Sequence, residues 1–195
     1  MDKEPSWTAD VPPCPYSGVM IQLHTTLAGH FKKNQILFCN HSDENGIDAA
    51  IPAPLGNVPV KFRYMEDKVA VRCFSPLRIR PEHRAEVLEL VHRMNDQMGV
   101  SSYNIDFRTN LAYCSIIMDI EECSPGEDRA EDLIGFGLIL VTRLFNAMTR
   151  VMYGMQNAAK AIKVLEEEDW ESTKAPRVDP FNRIEYLPGG NPELN

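Results

Sequence analysis

The sequence has no apolar run long enough to cross a bilayer, no C-x-x-C pair and no excess of positive charge. Each absence removes a class of function. A spanning helix needs ~20 apolar residues, and the richest stretch, from Leu133 onward, is interrupted by Arg143, Asn146 and Arg150. No membrane partner is therefore expected. Lys+Arg number 20 against 28 Asp+Glu, a formal net charge of -8, so the surface repels phosphate backbones and nucleic acid is not an expected partner. The opening residues Asp2, Lys3 and Glu4 lead to Pro12-Pro13 without an apolar stretch, so no secretory signal and a cytoplasmic location are expected. The five cysteines, Cys14, Cys39, Cys73, Cys114 and Cys123, are an odd number, and three lie in apolar strand-like runs. Reduced thiols packed as small hydrophobes fit that pattern better than disulfides.

What is present is one domain's worth of patterned sequence. Residues 1–16 carry Pro5, Pro12, Pro13 and Pro15 and read as an extended arm. Residues 17–166 read as a single α+β domain, and 167–195 as an acidic, Pro-rich flexible tail with Pro176, Pro180, Pro188 and Pro192. Within the domain, Ser17 is placed to cap a helix running to about Asn34, with Met20, Leu23, Leu27 and Phe31 on one face. Ile36 to Cys39 read as a strand, and the stretch from Asn40 to Asn57 as a long loop. Val58, Val60, Phe62 and Tyr64 alternate with polar residues, as do Val69, Val71 and Cys73, which predicts a hairpin with one face buried. Pro81 opens a helix with the stripe Val87, Leu90, Val91, Met94 and Met98, and a second hairpin spans Tyr103 to Ile120.

The last helical pattern is near-heptad: Ile134, Val141, Met148, Met155 and Ile162 fall seven apart. Unbroken from Asp128 to Glu166 it would reach roughly 60 Å, longer than a compact domain of this mass is wide. A break is expected at Gly154, or a projection onto another chain. Its methionine-rich face, Leu144, Phe145, Met148, Val151, Met152 and Met155, is adaptable in the way protein-binding surfaces are. It is the expected partner or dimer face.

No constellation of catalytic residues stands out. The polar run from Asn40 to Asp48 offers oxygen ligands, but His41 stands where a calcium loop wants an acid and Pro52 where it wants a bidentate Glu. Cys39 and His41 are two apart and are read as unable to form a nucleophile and base pair. The histidines lack the i,i+4 spacing of a shared metal and are expected to be solvated, and Gly135-Phe136-Gly137 lies in a helical run without the strand and lysine of a phosphate loop. Close helix packing explains those glycines. No cofactor and no metal are expected, and the chain is read as not an enzyme.

Five segments, Val69-Ala70-Val71, Val91-His92-Arg93-Met94-Asn95, Asn104-Ile105-Asp106-Phe107, Leu111-Ala112-Tyr113 and the stretch from Leu138 to Tyr153, together with the element order α-β-β-β-α-β-β-α, resemble the YbjN family. That family shares the fold of type III secretion chaperones. The resemblance implies a small, curved antiparallel sheet covered by helices, commonly paired as a homodimer, and a surface that holds a partner segment in extended form. No catalytic residues carry over from it. The sequence departs from the pattern in the Asn40 to Asn57 loop, the long last helix and the tail. A non-catalytic protein-binding module, chaperone-like or regulatory, acting through an apolar helical or sheet surface on another protein chain, is the leading expectation. The alternative is a small-ligand or metal-binding domain, or an enzyme, using the Asn40 to Asp48 loop.

Overall fold

A computed structural model describes residues 18–41, 45–65, 68–96, 98–99, 101–119 and 127–172. In chain order these form α1 (Gly18–Lys33), β1 (Leu37–His41), β2 (Gly46–Ala53), β3 (Gly56–Tyr64), β4 (Lys68–Arg78), a 3-10 turn (Pro81–His83) continuing into α2 (Arg84–Asn95), β5 (Ser101–Asp106), β6 (Leu111–Asp119), α3 (Glu127–Met152) and α4 (Ala158–Ser172). The strands make one antiparallel sheet in the order β1-β2-β3-β4-β6-β5. The α+β class is as expected, with one strand and one helix more than the sequence pattern resolved. The arm before residue 17, the Ser17 cap and the tail beyond 172 lie outside the described residues, while 167–172 complete α4 rather than starting a tail.

The added strand is β2, which occupies most of the segment expected to be a loop. Ile47, Ala49 and Ile51 are buried on one side, and Pro54-Leu55 form a two-residue connection to β3 that closes on Gly56 at φ 104°. A residue with a Cβ is strained at that angle. Antiparallel partners share a face, so the register sorts the sheet cleanly. Val60 lies opposite Cys73 and Phe62 opposite Val71; Cys73 in turn faces Cys114, and Tyr103 also lies opposite Cys114. These residues turn inward under α1, α2 and α3 and are almost wholly buried.

Helix α3 lies across the sheet. By length and composition Ala130–Met152 could cross a membrane, yet it takes the place of a core helix, with Leu133, Val141, Leu144 and Met148 buried against β4, β6 and the flanking helices. Gly137 permits the approach, because a Cβ there would sit 2.5 Å from Cys73 Sγ. The close packing expected of the paired glycines thus belongs to Gly137 alone.

The helical pattern breaks at Gly154, which has φ 67°. Gly154 N–H donates to Val151 O and Met155 N–H to Arg150 O, both at 3.0 Å, the paired bonds of a Schellman terminus. Asn157 then caps α4, its Oδ1 accepting from Lys160 N–H at 3.0 Å. The reversal lays Ala158, Ala161 and Leu165 onto α2 and α3. The second half of the pattern, read as free for another chain, is covered by its own fold.

Candidate functional site

The other face of the sheet meets no helix among the described residues. By register it carries Asp48 on β2, Lys61 and Arg63 on β3, Lys68, Ala70, Arg72, Phe74 and Arg78 on β4, and Tyr113, Ser115, Ile117 and Asp119 on β6, with Asp106 on β5. Five cations (Lys61, Arg63, Lys68, Arg72, Arg78) meet three carboxylates (Asp48, Asp106, Asp119), so this face is +2 on a chain whose net charge is -8.

Its centre is a stacked arrangement. Phe74 and Tyr113 lie directly opposite each other with ring centroids 4.9 Å apart. Lys61 Nζ is 5.7 Å from the Phe74 centroid and Arg72 Cζ is 5.8 Å from that of Tyr113. Lys61 and Arg72 are themselves cross-strand partners, a pairing of like charges that is unfavourable on its own. The electron-rich ring faces beneath them offset that repulsion, by ~0.5–1 kcal/mol each at exposed sites.

The carboxylates are largely engaged. Asp48 accepts from Arg63 Nη1 at 2.6 Å and lies 3.5 Å from Lys61 Nζ and 3.3 Å from His41 Nε2. Asp106 holds the β5–β6 turn, accepting from Arg108 N–H and the Thr109 hydroxyl, both at 2.9 Å. Those bonds hold its carboxyl below the usual aspartate range. Asp119 lies 3.4 Å from Lys68. Lys61 thus shares Asp48 with Arg63, while Arg72 rests on the Tyr113 ring beside Ile117, which is half exposed.

The expected partner face fares differently. Leu144, Met148, Val151 and Met152 are buried in the chain's own core, so they cannot form a docking face. An α3 lying on a sheet needs its methionine side inward, and periodicity alone does not say which surface covers an apolar stripe. Phe145 and Met155 remain toward solvent, lining a shallow depression with Asn146, Thr149 and Arg150.

Cys39 and His41 do meet, with Sγ 3.3 Å from Nε2, because residues two apart on a strand share a side. The same Nε2 faces Asp48, and burial, with Asp48 adding to it, raises the Cys39 thiol above its ordinary pKa. Among the described residues no group of three His, Cys, Asp or Glu side chains could hold a metal ion; Asp43 and Glu44 lie outside them. His24, expected to be solvated, is half buried against the Tyr64 ring at 5.6 Å. The part-open space between α2, β5, α3 and α4, lined by Met94, Tyr103, Arg143 and Leu165, is about 70 Å³, below the few hundred Å³ of a metabolite site, whereas the open depression at Phe145 and Met155 is about 460 Å³.

No family model and no curated protein sequence matches the chain. A solved structure does: "Crystal structure of YbjN, a putative transcription regulator from E. coli", at TM-score 0.50 and 8% identity, covering 69% of this chain and 93% of that one. The likeness is one of fold. It bears out the YbjN-like architecture read from the element order, and at this identity it carries no residue roles across.

The uncovered face escaped the sequence reading because Lys61, Arg63 and Arg72 looked like the solvated side of a half-buried hairpin. The available signal was their parity with Phe74 and Tyr113: large aromatics do not belong on a purely solvated side.

Proposed function

We propose that this chain is a non-catalytic protein-binding module, regulatory or chaperone-like, acting in the cytoplasm through the uncovered face of its sheet. The observation that carries the reading is that face itself: cations seated on aromatic rings beside an exposed Ile117, on the side away from every described helix. The fold likeness to a protein described as a putative transcription regulator supports a regulatory role. The net charge of -8 favours a protein over nucleic acid as what is bound. Unpaired thiols at Cys39, Cys73 and Cys114 suit a reducing compartment.

The test is affinity purification of the tagged chain from its native host, with co-purifying chains identified by mass spectrometry and the complex mass measured by light scattering. A stoichiometric partner that Arg72→Glu fails to retain supports the reading. A wild-type chain that purifies alone, as a monomer near its own 22.1 kDa or as a homodimer, overturns it in favour of a ligand-binding domain.

A further inference from the structure

Building on the protein-binding reading, we infer that the uncovered sheet face receives an extended, carboxylate-rich segment of another protein, whose acidic side chains pair with Lys61 and Arg72. Charge complementarity selects this occupant. The face sums to +2 while the whole chain is -8. A second copy of the chain would bring that -8 with it. A short acidic segment brings only the charges the face can use.

The rings argue against a nucleic acid on the same surface. Single-stranded bases bind by stacking on free aromatic faces. Here Phe74 is only 8% exposed, its ring is stacked on Tyr113, and each ring lies beneath a cation. What a ligand meets first is ammonium and guanidinium, groups that recognise carboxylates. The Arg72 guanidinium, resting on a ring, is pre-organised for a two-point contact and loses little freedom on binding. An extended segment presents acids on alternate residues to one side, while the alternate, outward residues need no pocket.

The experiment uses the full chain and a fluorescein-labelled 12-residue peptide alternating Glu and Thr, read by anisotropy, with single-stranded dT12 and a Lys-Thr peptide as counter-probes. The expected result is binding of the Glu-Thr peptide only, weakened at least about tenfold by K61E/R72E, with amide shifts on titration confined to β3, β4 and β6. K160E/K163E on α4 should change it less than about twofold, since surface charges beyond a Debye length are screened. K61Q/R72Q serves as the second variant should the charge reversal impair folding, and it should show an intermediate loss. Binding of dT12 that the same substitutions abolish would overturn the inference in favour of nucleic acid. No peptide binding, or binding indifferent to Lys61 and Arg72, would overturn it outright. If the peptide fails while R72E still retains the native partner, this face is wrong and only protein binding through another surface stands; if wild type retains no partner, both fall.

Discussion

Gly137 leaves no room for a side chain beside Cys73 where helix meets sheet, and the pair can be tested directly. Gly137→Ala places a methyl 2.5 Å from Cys73 Sγ, a distance the two elements must open to relieve. Overpacking of this kind costs about 1–3 kcal/mol, and the urea midpoint should fall accordingly. Adding Cys73→Ala removes the obstructing sulfur, so the double variant should be more stable than the sum of the two single changes predicts. Strict additivity would mean the helix shifts freely at this point. His24 supplies the pH dependence. Burial holds its imidazole below the ordinary value of about 6.5. Above that pH the ring is neutral folded and unfolded, and it contributes nothing to the slope. As pH falls from about 6.5 toward the lower folded-state pKa, the unfolded chain takes up the proton first, so stability is lost in that window. Melting temperatures measured between pH 7.5 and 5 should fall more steeply for wild type than for His24→Leu, and parallel curves would remove His24 from the account.

At the scale of elements, the edges of the sheet and the two sides of α3 carry the consequences. Asn95 closes the β5 edge as a strand would: its Oδ1 accepts from Tyr103 N–H at 2.7 Å and its Nδ2 donates to Tyr103 O at 2.9 Å. An open edge invites pairing with other chains. Asn95→Ala should cost about 1–3 kcal/mol for the two orphaned backbone groups and should raise light scattering on storage, whereas an unchanged urea midpoint would mean the edge is sealed otherwise. Core and surface part at two methionines on either side of the end of α3, Met148 within it and Met155 beyond Gly154. Met148→Glu buries a charge where Met148 is fully enclosed and should abolish the cooperative unfolding transition, while Met155→Glu, at a position 65% exposed, should leave the melting temperature within about 1 °C. Equal tolerance of both would restore the reading of Met148 as a partner contact. That reading was reasonable from the sequence, where Met148 and Met155 share one heptad position; only the reversal at Gly154 and the docking of α4 separate them. The break itself was legible, because a glycine interrupts a helix too long for the domain. Strand β2 was not, because Ala49, Ala50, Pro52 and Ala53 give it little strand propensity and its apolar side rests on Ile47 and Ile51.

Over the whole molecule, the separation of charge should leave a mark on binding that no local contact would. The uncovered face is +2 on a chain of net charge -8, so an acidic segment approaching Lys61 and Arg72 meets attraction within a few ångströms and the chain's net negative charge from further away. Which dominates depends on the screening length. At 0.01 M salt it is about 30 Å, and the remote acids oppose the approach; at 0.1 M it shrinks to about 10 Å, and the face acts nearly alone. Near 1 M, at about 3 Å, the contacts themselves weaken. Affinity for the Glu-Thr peptide should therefore rise a few-fold between 0.01 M and about 0.1 M salt, then fall toward 1 M. A nucleic-acid surface behaves otherwise, losing affinity steadily as log salt rises because its driving force is counterion release. A monotonic decline across the whole range would show that the charges off the face are not felt at the site, and would return nucleic acid to consideration. A maximum near physiological ionic strength would tie the chain's net charge of -8 to the selectivity of this face, since screening removes the opposing repulsion before it weakens the contacts themselves.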